Sequence, residues 1–293
     1  MLVTLKNTHM SATIDSLGAQ LISLKNTDGK EFIWQRDPAI WKFCSPLLFP
    51  AVGSCRNDQT IIDGITYPMP KHGICRDKDF QADQKSDTCV TFSLTSSEAT
   101  KPIYPYDFLL SLTYTLTEDG IFLDYQVTNT DSRTICYAIG AHPGFNIPLE
   151  EGESFEEYQL EFDQTENTSS LVYDLETNQF ERTKRLPLLQ NTRILPLKYS
   201  LFDQDAVYFD QIKSHKVSIV HPVTRKGIEV DYPDFCSVAF WTPMGVRAPF
   251  LCVEPWNGSG ICSDEDNHFK HKHDIEFLPA GEERQYHLGI RIL

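Results

Sequence analysis

A histidine that closes an apolar run and meets proline and glycine at once, in Ile139-Gly140-Ala141-His142-Pro143-Gly144-Phe145-Asn146, is well placed for proton chemistry. The residues before it have the β-branched and aromatic content of a strand, and Pro143 and Gly144 cannot extend a ladder. His142 is therefore expected where a strand gives way to a loop on a rigid scaffold. The alternative is a histidine that only caps the strand through backbone groups. Much later, Leu251-Cys252-Val253-Glu254-Pro255-Trp256-Asn257-Gly258 sets a carboxylate at the end of another apolar run, again before proline. An imidazole and a carboxylate at two strand ends form an acid and base pair if the fold brings them together.

Other candidates surround this pair. His72 lies with Lys71 and Arg76 in the glycine-containing segment Pro70-Lys71-His72-Gly73-Ile74-Cys75-Arg76-Asp77; a surface histidine is the competing reading. Arg56, in Val52-Gly53-Ser54-Cys55-Arg56-Asn57-Asp58, belongs to a loop too polar for the core and is available to a ligand. Asp205 precedes the strand-like Ala206-Val207-Tyr208-Phe209. Aromatic faces beside carboxylates and histidines suit a sugar, with its apolar C–H faces and rim of hydroxyls. Of the four tryptophans, Trp34 and Trp241 read as core, whereas Trp256, two residues past Glu254, is expected in an exposed loop. The run His268-Phe269-Lys270-His271-Lys272-His273-Asp274 interleaves imidazoles with lysines that oppose a dication, so it reads as a solvent-facing loop and no metal is assigned. The sequence contains no glycine-rich phosphate loop, nucleophile elbow or dinucleotide fingerprint.

The elements that must position these residues are strands. Period-two alternation runs through residues 2–24, is clearest between Cys89 and Asn129, and resumes from Ala206 to Trp241, with Asp63-Gly64 and Glu118-Asp119-Gly120 as hairpin turns. Asp37-Pro38-Ala39-Ile40-Trp41 predicts a single helical turn. Residues 150–200, rich in Glu, Gln, Asn and Thr, read as a peripheral excursion with only short strands. No long amphipathic helix and no repeat appears. The fold class is all-β, a single large antiparallel β-sandwich forming one domain over residues 1–293.

Forty-one acidic residues against 26 basic ones give a net charge of −15. That balance disfavours nucleic acid and membrane surfaces as partners and suits a neutral small molecule. With neither a secretory signal nor a membrane span, the protein is expected to be soluble and cytoplasmic, its eight scattered cysteines reduced.

Phe49-Pro50, Gly53 with Arg56-Asn57, Asp63-Gly64 with Tyr67, His72-Gly73 with Arg76, Gly140-Ala141-His142-Pro143-Gly144-Phe145-Asn146, Glu254-Pro255-Trp256 and Leu278-Pro279-Ala280-Gly281-Glu282 together resemble the aldose 1-epimerase (galactose mutarotase) family, in particular its shorter bacterial branch. The resemblance covers nearly the whole chain. It implies a β-supersandwich without cofactor that interconverts the α and β anomers of a free hexose, with His142 as general acid and Glu254 as general base. Arg56, His72, Arg76, Asp205 and Trp256 would then contact the sugar, with Asp203 and Asp210 as rivals of Asp205. Ser54-Cys55 stands where relatives often carry a further arginine, and Gly144 stands where galactose-specific members usually carry an aromatic. Two alternatives stay open. One is a hexose-phosphate mutarotase using Arg56, Lys71 and Arg76 as a clamp; the other is a non-catalytic carbohydrate-binding protein on the same fold. The assembly is expected to be a monomer or a homodimer.

Overall fold

In the computed structural model, which describes residues Met1–Leu293, the alternating segments form antiparallel sheets and helical structure is confined to five short 3-10 turns. No helix is long and apolar enough to cross a membrane. The clearest alternation in the sequence, Phe108–Leu116, buries every second side chain along its length. It pairs in register with Gly120–Asn129 and with Cys89–Thr95. The opening meander Leu2–Lys6, Met10–Asp15, Gln20–Asn26 forms its own three-stranded sheet. Asp63 and Gly64 both adopt positive φ, 51° and 81°, as the two-residue turn between Gln59–Ile62 and Ile65–Pro68 requires.

The principal sheet has 15 strands, a width at which accumulated strand twist curls it into a β-sandwich. One flank of this sheet carries the site. From its edge inward the order is Leu47–Leu48, Ile139–Ala141, Phe250–Asn257, Ser237–Trp241, Val207–Phe209 and then Gln159–Asp174. Beneath it, seventy buried side chains from Val3 to Ile290 form one contiguous cluster, so the flank rests on continuous core.

Two sequence expectations are corrected here. Residues 150–200 are not a run of short strands: Gln159–Asp174 and Gln179–Pro196 pair as the longest hairpin in the protein. Its apolar periodicity is missing because the middle of the second strand faces solvent and the register shifts four times along the pair. Likewise, Glu254 does not end a strand and Trp256 does not lie in an exposed loop. Phe250–Asn257 continues through Pro255, every residue in it is buried, and Trp256 is only 3% exposed. Pro255 is tolerated because of its neighbour. The Val253 N–H donates to the Pro143 carbonyl, so the nitrogen of Pro255, two residues on, faces the same side, where the adjoining chain leaves the ladder between Ala141 and Gly144.

Gly73 shows how tightly the loop beneath the site is held. Its φ is +75°, and a Cβ there would lie 2.2 Å from the Phe49 carbonyl oxygen and 2.5 Å from its carbon. Gly73→Ala is expected to cost about 2–4 kcal/mol, from backbone strain plus displacement of the Phe49-Pro50 segment. Urea unfolding of the two proteins checks this.

Candidate active site

His142 is brought to Glu254 because the segments on both sides of it pair with the strand that carries Glu254. Ile139 and Gly140 pair with Asn257 and Trp256, and Gly144–Asn146 pairs with Phe250–Cys252. The intervening His142-Pro143 is thus pinned on both sides against the middle of Phe250–Asn257. His142 Nε2 lies 3.1 Å from Glu254 Oε2, and both side chains are buried. Glu254 pairs across the sheet with Ala239, whose small side chain leaves the carboxylate uncrowded. By the period of a strand, Cys252, Glu254 and Trp256 share one face.

Aromatic rings hold the imidazole from three directions. Trp41 stacks on His142 at 4.9 Å between centroids and 27° between planes, while His72 and Trp241 meet it edge-on at 5.4 Å and 5.8 Å. Trp41 is delivered by the turn expected at Asp37-Pro38, where the N–H groups of Ile40 and Trp41 both donate to the Asp37 carbonyl. Its ring reaches the space a side chain at 144 would need, with Cζ3 3.0 Å from the position of a Gly144 Cβ. An aromatic from elsewhere in the chain therefore stands where Gly144 supplies none.

His72 has positive φ, 68°, and its Nδ1 accepts the Gly53 N–H at 3.1 Å. That bond places the ring proton on Nε2 and leaves it free to donate. Asp205, also at positive φ, accepts the Trp241 indole N–H at 2.9 Å through Oδ1.

These groups surround a cavity of about 400 Å³, lined by His142, Glu254, His72, Arg76, Asp205 and Trp256 among others. Burial pushes the Glu254 carboxyl well above the usual carboxylate range. Burial, aided by Lys71, pushes His142 down to about 3. His72 is also driven well below the ordinary histidine value, by burial and then by His142. The shifts of Glu254 and His142 both favour the uncharged forms, and the two groups, in contact, titrate as a pair.

Arg56 is placed differently. It lines an adjoining cavity of about 370 Å³. Its guanidinium donates to Gln179 Oε1 at 3.1 Å and to the carbonyls of Glu265 and Cys262 at 3.0 and 3.4 Å, which ties the tip of the long hairpin to the loop after Phe250–Asn257. Of the rival aspartates, Asp210 is taken by a two-point contact with Arg185 at 2.8 and 2.9 Å, and Asp203 is exposed in a turn. His268 and His271 converge on the Asp266 carboxylate at 3.3 and 2.7 Å, an exposed cluster apart from the cavity, while His273 turns to Asp274.

Several lining residues were not singled out from sequence. Trp241, read as core, is only partly buried and lines the cavity, while Trp41 carried no local signal beyond being tryptophan. Tyr173 and Phe180, from the long hairpin, also line the cavity. Phe180 stands among polar residues and Tyr173 closes the apolar run Leu171-Val172-Tyr173, and neither has a spacing that points to the cavity.

The sequence matches the family described as Aldose 1-epimerase over residues 1–285. Protein LacX (plasmid) of Lactococcus lactis subsp. lactis is 37% identical over 281 residues, 94% of each chain. Among solved structures, a galactose mutarotase related enzyme from Lactobacillus acidophilus superposes with a TM-score of 0.93 at 28% identity, covering 100% of this chain and 97% of that one. A galactose mutarotase-like protein from Lactobacillus casei ATCC 334 gives 0.90 at 31% identity, with 100% of both chains covered.

Proposed function

The chain belongs to the aldose 1-epimerase family, and from that premise we propose that it interconverts the α and β anomers of an aldose, with Glu254 as base and His142 as acid. The observation that carries this reading is the 3.1 Å contact between His142 Nε2 and Glu254 Oε2 on the wall of an aromatic-lined cavity. Glu254 takes the proton of the C1 hydroxyl as His142 protonates the ring oxygen. The hemiacetal opens, the C1–C2 bond rotates, and closure on the other face returns both protons. Through this cycle the pair gains and loses no net proton. Before opening, the proton is on His142; after opening, it is on Glu254. The burial that favours the uncharged forms therefore favours the distribution that accompanies the open chain.

In this reading His72 donates from Nε2 to a sugar hydroxyl, Asp205 accepts from another, and Arg76 supplies a cation at the rim. The indoles of Trp41 and Trp256 face the C–H surface of the ring. Arg56 acts by positioning the hairpin tip and not by touching the sugar. We read residues 1–293 as one unit, since the lining is drawn from Pro38 to Ile261. The eight free cysteines suit a reducing, cytoplasmic setting.

Polarimetry of a freshly dissolved pure α anomer tests the proposal. Catalytic amounts of protein should speed the approach to equilibrium without moving it, whereas a protein that only binds sugar leaves the rate unchanged. The pH dependence follows from the pair. His142 gains a second proton only near its lowered value of about 3, and Glu254, held high by burial, releases the shared proton only well above the usual carboxylate range. Thus kcat/KM is expected to fall by less than about twofold between pH 7 and pH 5, where an ordinary histidine would titrate fully. A midpoint near the ordinary histidine value would contradict the assignment.

A further inference from the structure

We propose that the aldose taken by this site carries an anionic substituent, phosphate or carboxylate, at the end remote from C1, recognised by Lys42, Lys71 and Arg76. The inference rests on the anomerase reading for which atom reacts, but it is carried by a separate observation. In a chain of net charge −15, three cationic side chains line this cavity. Lys42 Nζ and Arg76 Cζ lie 5.1 and 5.0 Å from the centre of the same ring, Phe43, and Lys71 belongs to the same short segment as Arg76.

Arg76 lacks the close carboxylate partner that several other arginines of the protein have. Arg185, Arg133 and Arg225 each meet a carboxylate within 3.0 Å. Lys42 and Lys71 have none within 4.0 Å. Arg76 reaches only Asp77, at 3.8 Å, and that carboxylate is 72% exposed. The Arg76 Nε is buried and finds no acceptor in the protein. Leaving such a donor unpaired is costly unless a ligand supplies the acceptor. Of the two carboxylates on the wall, Glu254 is engaged by His142 at 3.1 Å and Asp205 by the Trp241 indole. Clustered cations also repel one another and disfavour charge on His142, so the arrangement opposes the acid it stands beside until an anion binds. A neutral hydroxyl does not require three positive charges. A phosphate or carboxylate does, and a guanidinium fork matches both.

The test compares a free hexose, its 6-phosphate and its uronic acid, with anomeric exchange read by NMR saturation transfer between the two H1 signals. The anionic sugars should be favoured in kcat/KM by about 10- to 100-fold or more, as charge-assisted hydrogen bonds imply. In the wild type this advantage should shrink as sodium chloride rises from about 20 to 500 mM. Arg76→Gln and Lys71→Gln should each lower the ratio of anionic to free sugar by about tenfold. A ratio near one, or a ratio that neither salt nor either substitution alters, overturns the proposal while leaving the anomerase reading intact. If no sugar is turned over but the 6-phosphate binds by calorimetry and Arg76→Gln weakens it, the anion site stands and the catalytic reading fails. Preference for the 6-phosphate alone identifies phosphate as the source; preference for both identifies charge. The wild-type salt series carries the test should either variant misfold.

Discussion

Glu254→Gln is expected to lower kcat/KM for anomerisation by about 10²–10⁴-fold while leaving the protein folded. Glutamine keeps the size and hydrogen-bonding reach of the side chain and removes its basicity, so the C1 hydroxyl proton has no acceptor. The substitution should also raise stability at neutral pH. Burial holds the Glu254 carboxyl well above its unfolded value of 4.5, so the folded chain binds this proton more tightly than the unfolded one. Its stabilising contribution is complete below the unfolded value and is lost as pH rises towards the folded one. A neutral amide is free of that loss. Thermal unfolding at pH 7 should show a melting temperature for Glu254→Gln at or above the wild type, alongside the collapse in rate. Near wild-type turnover would remove Glu254 from the mechanism, and a fall in both stability and rate would make the loss structural.

His142→Asn should cost a similar factor, about 10²–10⁴-fold, because the ring oxygen then departs without a proton. The variant also separates packing from chemistry. His142 is stacked on Trp41 at 4.9 Å and edged by His72 and Trp241, so losing the ring weakens aromatic packing by about 0.5–1.5 kcal/mol. A loss of that size leaves the fold intact, and near-ultraviolet circular dichroism should remain close to that of the wild type. Since acid and base exchange a single proton, the double variant His142→Asn with Glu254→Gln should be little slower than either single variant. Multiplicative losses would mean that the two residues act independently.

The fold was legible where one face of a strand is wet. Phe108–Leu116 alternates in sequence and in burial residue by residue. It was illegible where both faces are dry or both are wet. Phe250–Asn257 is buried throughout, so Pro255 looked like a stop when it is a residue whose missing N–H falls at a gap in the next strand. In the hairpin of Gln159–Asp174 and Gln179–Pro196 the middle of the second strand faces solvent and the register shifts, so there is little apolar alternation to read.

The proposed acid and base were legible as candidates because the flanking prolines marked both residues, although for Glu254 the expected strand end does not exist. Trp41 and Tyr173 could not be found by spacing, since they reach the cavity from a turn and from near the tip of the long hairpin. Arg56 looked available because its loop is polar. Its guanidinium also donates to Gln179 and two carbonyls, tertiary contacts with no local trace. The charge of the whole chain, a net −15, does not report the sign of the side chains that meet inside one cavity, where Lys42, Lys71 and Arg76 all stand.

The most direct test of the acid and base account is saturation transfer in D2O on an equilibrated aldose or aldose 6-phosphate with catalytic wild-type protein. Ring opening at C1 by a proton passed between His142 and Glu254 predicts rapid exchange between the α and β H1 signals, with the C2 proton retained through many turnovers. Replacing Glu254 with glutamine should abolish the enzymatic exchange. Loss of the C2 proton signal, or exchange that persists undiminished in Glu254→Gln, would contradict the account.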